Sequence, residues 1–302
     1  MLRVNTEANR TAQGTLFCIL SGAAFGAMAV FGKLAYDEGA SVGTLLAVRF
    51  TFAAALFWVI VPLREFRALA GRDIRTGLLL GALGYALQAG CYFVALDRID
   101  ASLLALLLYT FPALVAAAAV AIGRERFGLR HVIAVFLATG GLTLAVTGAG
   151  DGALDPVGVL LGLGAAVVYS VYILVSDGIA GRVPPRVLAT LVCTGAAVSL
   201  LIGTTLLGEF HPGDLSGAGW AWLGCLAVVS TVAAISLFFA GLERVGPTSA
   251  AILSTVEPLV TVALAFVVFG ERLGTLQLLG GALVLAAVIP ATLAGRRQEA
   301  IA

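Results

Sequence analysis

A chain of 302 residues that is 60% hydrophobic and only 12% charged departs from soluble domains, in which about a quarter of residues are charged; it reads as an integral membrane protein. Its net charge of +1 makes no case for nucleic acid as a partner, and composition names the lipid bilayer instead. Two widely separated histidines, His131 and His211, and four cysteines, Cys18, Cys91, Cys193 and Cys225, lack metal-site spacing. No metal, cofactor or histidine triad is therefore expected, and the cysteines read as small core or lipid-facing residues.

Residues 1–13 are polar, with Arg3 and Arg10, and lead into one apolar run followed at once by another, so a cleavable signal peptide is not expected. A helix needs about 20 residues to cross a bilayer, and ten runs qualify. The first, 13–36, holds Phe25-Gly26 and Lys33, a lysine that serves as an anchor or guards a cavity mouth. The second, 41–62, carries Arg49 at depth. In the third, 74–96, Tyr85, Gln88 and Tyr92 fall at spacings of three and four and so share a helix face. The same run has Gly77, Gly81 and Gly84, which let helices approach closely in lipid, as do Gly140 and Gly141 in the fifth.

The fourth run, 101–122, contains Tyr109 and Pro112, and the fifth is 130–149. The sixth, 156–176, places Tyr169 and Tyr172 on one face and ends near Asp177. The seventh, eighth, ninth and tenth are 186–207, 218–240, 247–269 and 275–294. Connections are short, none holds a soluble domain, and none of the glycines forms a phosphate-cradling loop between strand and helix.

Single crossings sort the basic residues. Arg3, Arg10, Arg64, Arg67, Arg72, Arg75, Arg124, Arg126, Arg130, Arg182, Arg186, Arg244, Arg296 and Arg297 fall on the side of the termini, and only Lys33, Arg98 and Arg272 on the other. Fourteen against three predicts cytoplasmic termini. The same asymmetry supports the count of ten, because a missed helix would scramble the sides.

Ser254-Thr255-Val256-Glu257-Pro258 sets a carboxylate beside a helix breaker inside the ninth run. Pro258 has no N–H for the carbonyl of Ser254, so the helix must kink or unwind. The freed carbonyl needs a donor, for which the hydroxyls of Ser254 and Thr255 are candidates, and such irregular backbone is tolerated where it lines an enclosed cavity. Pro112 repeats the construction. A shift of 146 positions lays Arg98 on Arg244, Pro112 on Pro258 and Glu125-Arg126 on Glu271-Arg272. Two halves of five helices follow, 1–149 and 150–302, the second entering the membrane inverted because five is odd, with a site between the broken helices.

Only Arg49 and Glu257 are ionisable groups well inside the runs, where each costs about 2.5 to 3.5 kcal/mol if centred and unpaired. Arg49 is expected to meet a substrate carboxylate or Glu257, and Glu257 a substrate amine or a coupling proton; the bland alternatives are an ion pair that fixes packing, or an Arg49 that snorkels outward. Gln88, Tyr109, Tyr169 and Ser254 complete the expected substrate site, with Pro112 and Pro258 as hinges. Glu125-Arg126 and Glu271-Arg272, just past run ends, read as caps and interface anchors.

Val256-Glu257-Pro258-Leu259, Phe269-Gly270-Glu271-Arg272-Leu273 and Gln277-Leu278-Leu279-Gly280-Gly281 together resemble the closing signature of the EamA branch of the drug/metabolite transporter superfamily. Phe111-Pro112-Ala113-Leu114 and Gly123-Arg124-Glu125-Arg126 form a looser first copy, and Arg49-Phe50 resembles the arginine of the family's second span. The resemblance implies an all-α inner-membrane carrier of ten helices in two inverted repeats, with the first, third, fourth, sixth, eighth and ninth enclosing a central cavity. Phe25 and Tyr169 stand where tryptophan is usual, and Glu257 where many relatives are neutral. The reading is a secondary carrier of small organic metabolites, an exporter of amino acids or related zwitterions, working by alternating access with protons as a candidate co-substrate. The alternatives are carriage of other metabolites in either direction, a channel or signalling scaffold, or an intramembrane lipid- or prenyl-modifying enzyme, for which clustered acids or a nucleophile with its base are lacking.

Overall fold

The computed structural model describes residues 2–124, 127–148 and 155–299, which are helical apart from turns and short connections and include no strand. Among them, nine stretches are long and apolar enough to cross a bilayer: Arg10–Asp37, Val42–Ile60, Gly71–Leu96, Ala101–Ala121, Leu129–Thr147, Pro156–Ile179, Pro185–Leu206, Gly217–Val245 and Ser249–Phe269. The tenth helix, Thr275–Glu299, has an apolar part Thr275–Ala291. The ten expected spans are thus present as helices. The first and last extend well past their expected bounds, with helix starting at Leu2 and ending at Glu299, because hydropathy marks where apolar residues stop and not where hydrogen bonding does. Glu125-Arg126 and the 149–154 part of the central connection lie outside the described residues.

Cross-chain polar contacts obey the alternation of ten crossings. Glu65–Arg186, Asp73–Arg182 and Arg124–Asp177 join helix ends on the side of the termini. Lys33–Glu271 and Arg98–Asp155 join ends on the opposite side, as do the bonds of Ser41 and Thr44 to the backbone of Glu209 and His211. Spans begin with ordinary caps: Ser41, Asp155 and Ser216 accept from Thr44, Val157 and Gly219 backbone N–H groups. Val59, Phe136, Leu206 and Val267 are three-quarters exposed or more, an outer surface suited to lipid and not to water.

Packing follows a pattern of exchange. The first span packs on the eighth as the sixth packs on the third, and the second, fourth and fifth pack on the seventh, ninth and tenth. Two six-residue π-helical segments, unforeseen from sequence, sit in corresponding places, Leu80–Tyr85 in the third span and Val228–Ala233 in the eighth. Fifth and tenth cross at Gly141 and Gly280, where a Cβ on either would stand 2.6 or 2.5 Å from the other's carbonyl oxygen. Gly140, grouped with Gly141 as a packing residue, has open space beside it.

Away from the termini, three elements are joined by one carboxylate. Gly270 ends the ninth span at φ +69, a left-handed conformation that glycine adopts without steric cost. The turn delivers Glu271 to the start of the fourth span, where it accepts from Ala101 N at 3.1 Å, Ser102 N at 3.0 Å and Ser102 Oγ at 2.8 Å, while Lys33 Nζ of the first span donates at 2.8 Å. The expected cap is real, but the helix capped belongs to the other half of the chain. Asp100, at the usual capping position, makes no side-chain cap bond. Burial pushes the Glu271 carboxyl up, but the bonds from Lys33 and Ser102 outweigh it and hold the group below its ordinary value. Burial and then the neighbouring Glu271 charge raise Asp100.

A depressed carboxyl stabilises the fold at pH values above its unfolded pKa of about 4.3, and that contribution is lost as pH falls through the lower folded value. Glu271→Gln is expected to destabilise the protein by about 1–3 kcal/mol at pH 7. The gap to wild type should narrow on acidification below about pH 4.3, read by thermal unfolding in detergent across that range. Melting curves that stay equally far apart at every pH would count against the assignment.

Candidate functional site

Both proline-marked helices are interrupted where expected, each by a two-residue turn and without extended unwinding. The fourth span is helical over Ala101–Leu108 and Phe111–Ala121, the ninth over Pro247–Leu253 and Val256–Phe269. Tyr109-Thr110 and Ser254-Thr255 between them keep near-helical angles. The donor for the carbonyl that Pro258 frees differs from expectation. Ser254 and Thr255 turn their hydroxyls back to the carbonyls of Ala250 and Ile252, the ordinary back-bonding of helical Ser and Thr. The Ser254 carbonyl instead accepts from Glu257 N at 3.0 Å and lies 2.7 Å from the Tyr109 hydroxyl, which reaches across from the fourth span. That hydroxyl is also 3.0 Å from Glu257 Oε2. The two interruptions are therefore bonded to one another.

They border a cavity of about 650 Å³ lined by all six expected substrate residues, Arg49, Gln88, Tyr109, Tyr169, Ser254 and Glu257. Pro112 lines it too, whereas Pro258 is buried behind it; neither proline faces lipid. The enclosure is broader than the six expected helices: Arg49 comes from the second span, Ala189, Val192 and Cys193 from the seventh, Val288 and Ala291 from the tenth. Cys193, read as core or lipid-facing, is part of this wall. Sequence spacing could not show it, because a small apolar residue looks the same in a core, in a cavity wall and against lipid. Tyr172, Ala189, Phe239 and Ala251 place lining near the helix ends on the terminal side, while Lys33, Glu271 and Ser102 are bonded together at the opposite side of the bundle.

Arg49 is 2% exposed, its Nε donates to Thr231 Oγ1 at 2.9 Å, and its guanidinium lies 5.0 Å from the Phe50 ring and 5.2 Å from the Phe93 ring. It forms no ion pair among the described residues, with Glu257 or any other acid. The packing ion pair that was one bland alternative is therefore not made. Gln88 is 8% exposed, faces the same space and makes no hydrogen bond among the described residues.

A run of touching rings spans the wall between the two charged positions. Tyr109 meets Phe111 edge-on, Phe111 meets Tyr169, Tyr169 stacks with Tyr172, Tyr172 meets Tyr85, and Tyr85 meets Phe50 beside Arg49. Aromatic walls with a few placed polar groups are what a site for a small organic molecule requires. Among the described residues no cluster of His, Cys, Asp or Glu could hold a metal ion.

Residues 12–147 and again 156–293 match the model of the EamA-like transporter family. An uncharacterized transporter of Archaeoglobus fulgidus is 30% identical over 91% of this chain and 95% of its own. The uncharacterized transporter YcbK of Bacillus subtilis is 25% identical over 91% of each chain. The threonine/homoserine exporter RhtA of Salmonella typhimurium is 26% identical over 74% of this chain and 72% of its own. A solved crystal structure with 22% identity superposes with a TM-score of 0.65, covering 95% of this chain and 99% of that one, and shares the fold. With apolar helices enclosing an aromatic cavity and a family match over nearly the whole length, the chain is a transporter, not an enzyme, and belongs to the EamA-like family.

Proposed function

We propose that the protein is a secondary carrier that exports amino acids or related zwitterions across a bacterial inner membrane by alternating access. The observation that carries this reading is the presence of Arg49 and Glu257 on one cavity without an ion pair between them. An arginine and an acid left without a partner at depth are expensive in their charged forms, and a molecule bearing both a carboxylate and an ammonium compensates them together once Glu257 has given up its proton. The name of RhtA as an exporter of threonine and homoserine supports the substrate class, and the arginine count supports cytoplasmic termini.

The halves 1–149 and 150–302 act in this reading as inverted repeats that rock about the site. The two family matches, the paired π segments and the pattern of exchange in packing support that division. Glu257 also serves as a proton site: Tyr109 has one proton for two acceptors, and the set is fully bonded when Glu257 itself carries a proton and donates to the phenol.

The test is counterflow of labelled L-threonine and L-phenylalanine in liposomes holding the purified protein, with their decarboxylated amines as competitors. Saturable exchange of the zwitterions, accelerated by an imposed pH gradient in wild type but not in Glu257→Gln, is the expected outcome. Saturable flux confined to the amines would overturn the substrate class, and a gradient response that survives Glu257→Gln would overturn the proton site.

A further inference from the structure

The π segment Val228–Ala233 brings one side chain to Arg49. Thr231 is fully buried. Its Oγ1 donates to the carbonyl of Leu226, five residues back, at 2.9 Å and stands 2.9 Å from Arg49 Nε. A hydroxyl has one proton, so with that proton committed to Leu226 the oxygen can only accept from the arginine. The widened turn fixes the direction of the contact, since a π bulge shifts the hydrogen-bond register and re-aims the residues it carries.

The contact decides how the guanidinium is presented. A planar guanidinium receives a carboxylate either side-on, through Nε and one Nη, or end-on, through both Nη groups. Thr231 occupies Nε, so the side-on mode is taken. The rings of Phe50 and Phe93 lie beside the group, and Arg49 forms part of the cavity wall with no ion pair among the described residues. We propose that Thr231 is a positioning residue, which holds Arg49 so that its end-on fork faces the cavity and thereby makes the site selective for ligands with a planar carboxylate. This rests on the zwitterion reading given above. It goes beyond that reading by assigning carboxylate selectivity to a residue outside the cavity wall, on the opposite half of the chain from the arginine it orients.

Packing alone would also place a threonine here, so the test separates orientation from filling space. The full chain, purified in detergent, is titrated with L-phenylalanine and with phenethylamine, which lacks the carboxylate, in wild type, Thr231→Val, Thr231→Ser, Arg49→Ala and Thr231→Val/Arg49→Ala. Valine keeps the volume and loses the acceptor, and serine keeps the acceptor.

Thr231→Val is expected to weaken L-phenylalanine about 10-fold and leave phenethylamine unchanged, Thr231→Ser to restore binding, and the double variant to bind no worse than Arg49→Ala. If Thr231→Val does not fold, Thr231→Ala carries the same comparison. Equal weakening of both ligands, or failure of serine to restore, overturns the positioning role. Loss in Arg49→Ala with none in Thr231→Val also overturns it and leaves the zwitterion reading standing. L-phenylalanine binding that survives Arg49→Ala, or is absent from wild type, overturns that reading and this inference with it.

Discussion

Arg49→Met is expected to raise the half-saturation for L-amino acid counterflow by about 30-fold or more, while the unliganded protein melts close to wild type. Removing one member of a buried charge pair costs about 2–5 kcal/mol, and tenfold in affinity is about 1.4 kcal/mol, so the binding loss is large. The stability change is small because two terms oppose. Relief of an unpaired charge at depth returns about 2.5–3.5 kcal/mol. Loss of the charge-assisted bond to Thr231, at about 1.5–3 kcal/mol, and of contacts with the Phe50 and Phe93 rings, at about 0.5–2 kcal/mol, takes it away again. Counterflow kinetics and thermal unfolding of the same preparation read the two effects. A collapse in melting temperature with unaltered half-saturation would make Arg49 a strut of the fold.

Gly81→Val is expected to prevent the third and seventh spans from closing and to leave little folded protein in detergent. A Cβ at Gly81 would overlap the backbone carbonyl of Val192, and one at Gly195 would overlap that of Leu78, so the two helices meet backbone to backbone at both points. Overpacking a core costs about 1–3 kcal/mol where side chains can yield. Here the obstacle is main chain inside a π segment that itself packs on the seventh span, and the helices must separate. Gly90, on the same span with open space around it, supplies the control: Gly90→Ala should be neutral or stabilising by up to about 1 kcal/mol. Equal monodisperse yield and melting of Gly81→Val and wild type would show that the crossing is looser than drawn.

Much of this architecture was legible in the residues. Ten apolar runs became ten helices, Pro112 and Pro258 follow two helix interruptions, and Arg49 and Glu257, the charges the runs hold at depth, came to one cavity, because lipid allows each of these features few solutions. Side chains whose role depends on a distant helix were not legible. Nothing in Leu80-Gly81-Ala82-Leu83-Gly84-Tyr85 or Val228-Val229-Ser230-Thr231-Val232-Ala233 marks a π turn, since propensity hardly separates i→i+4 from i→i+5 bonding. Thr231 looked like any buried threonine until Arg49 was placed against it. The nearby hydroxyls of Ser254 and Thr255 do not serve the Ser254 carbonyl, because helical hydroxyls reach back along their own helix. Tyr109, 145 residues away, was available only once the fourth and ninth spans crossed.

The bonds around Glu271 bear on motion. Separating the first, fourth and ninth spans at that end would strip four hydrogen bonds from a single carboxylate. It would also bare the amide groups of Ala101 and Ser102 at the start of a helix. Glu271 thus ties three spans at one point on the side away from the termini, beside the separate links Arg98–Asp155 and Ser41/Thr44 to Glu209/His211. In the alternating-access reading proposed above, opening that side would have to break this set of bonds before the first, fourth and ninth spans could part.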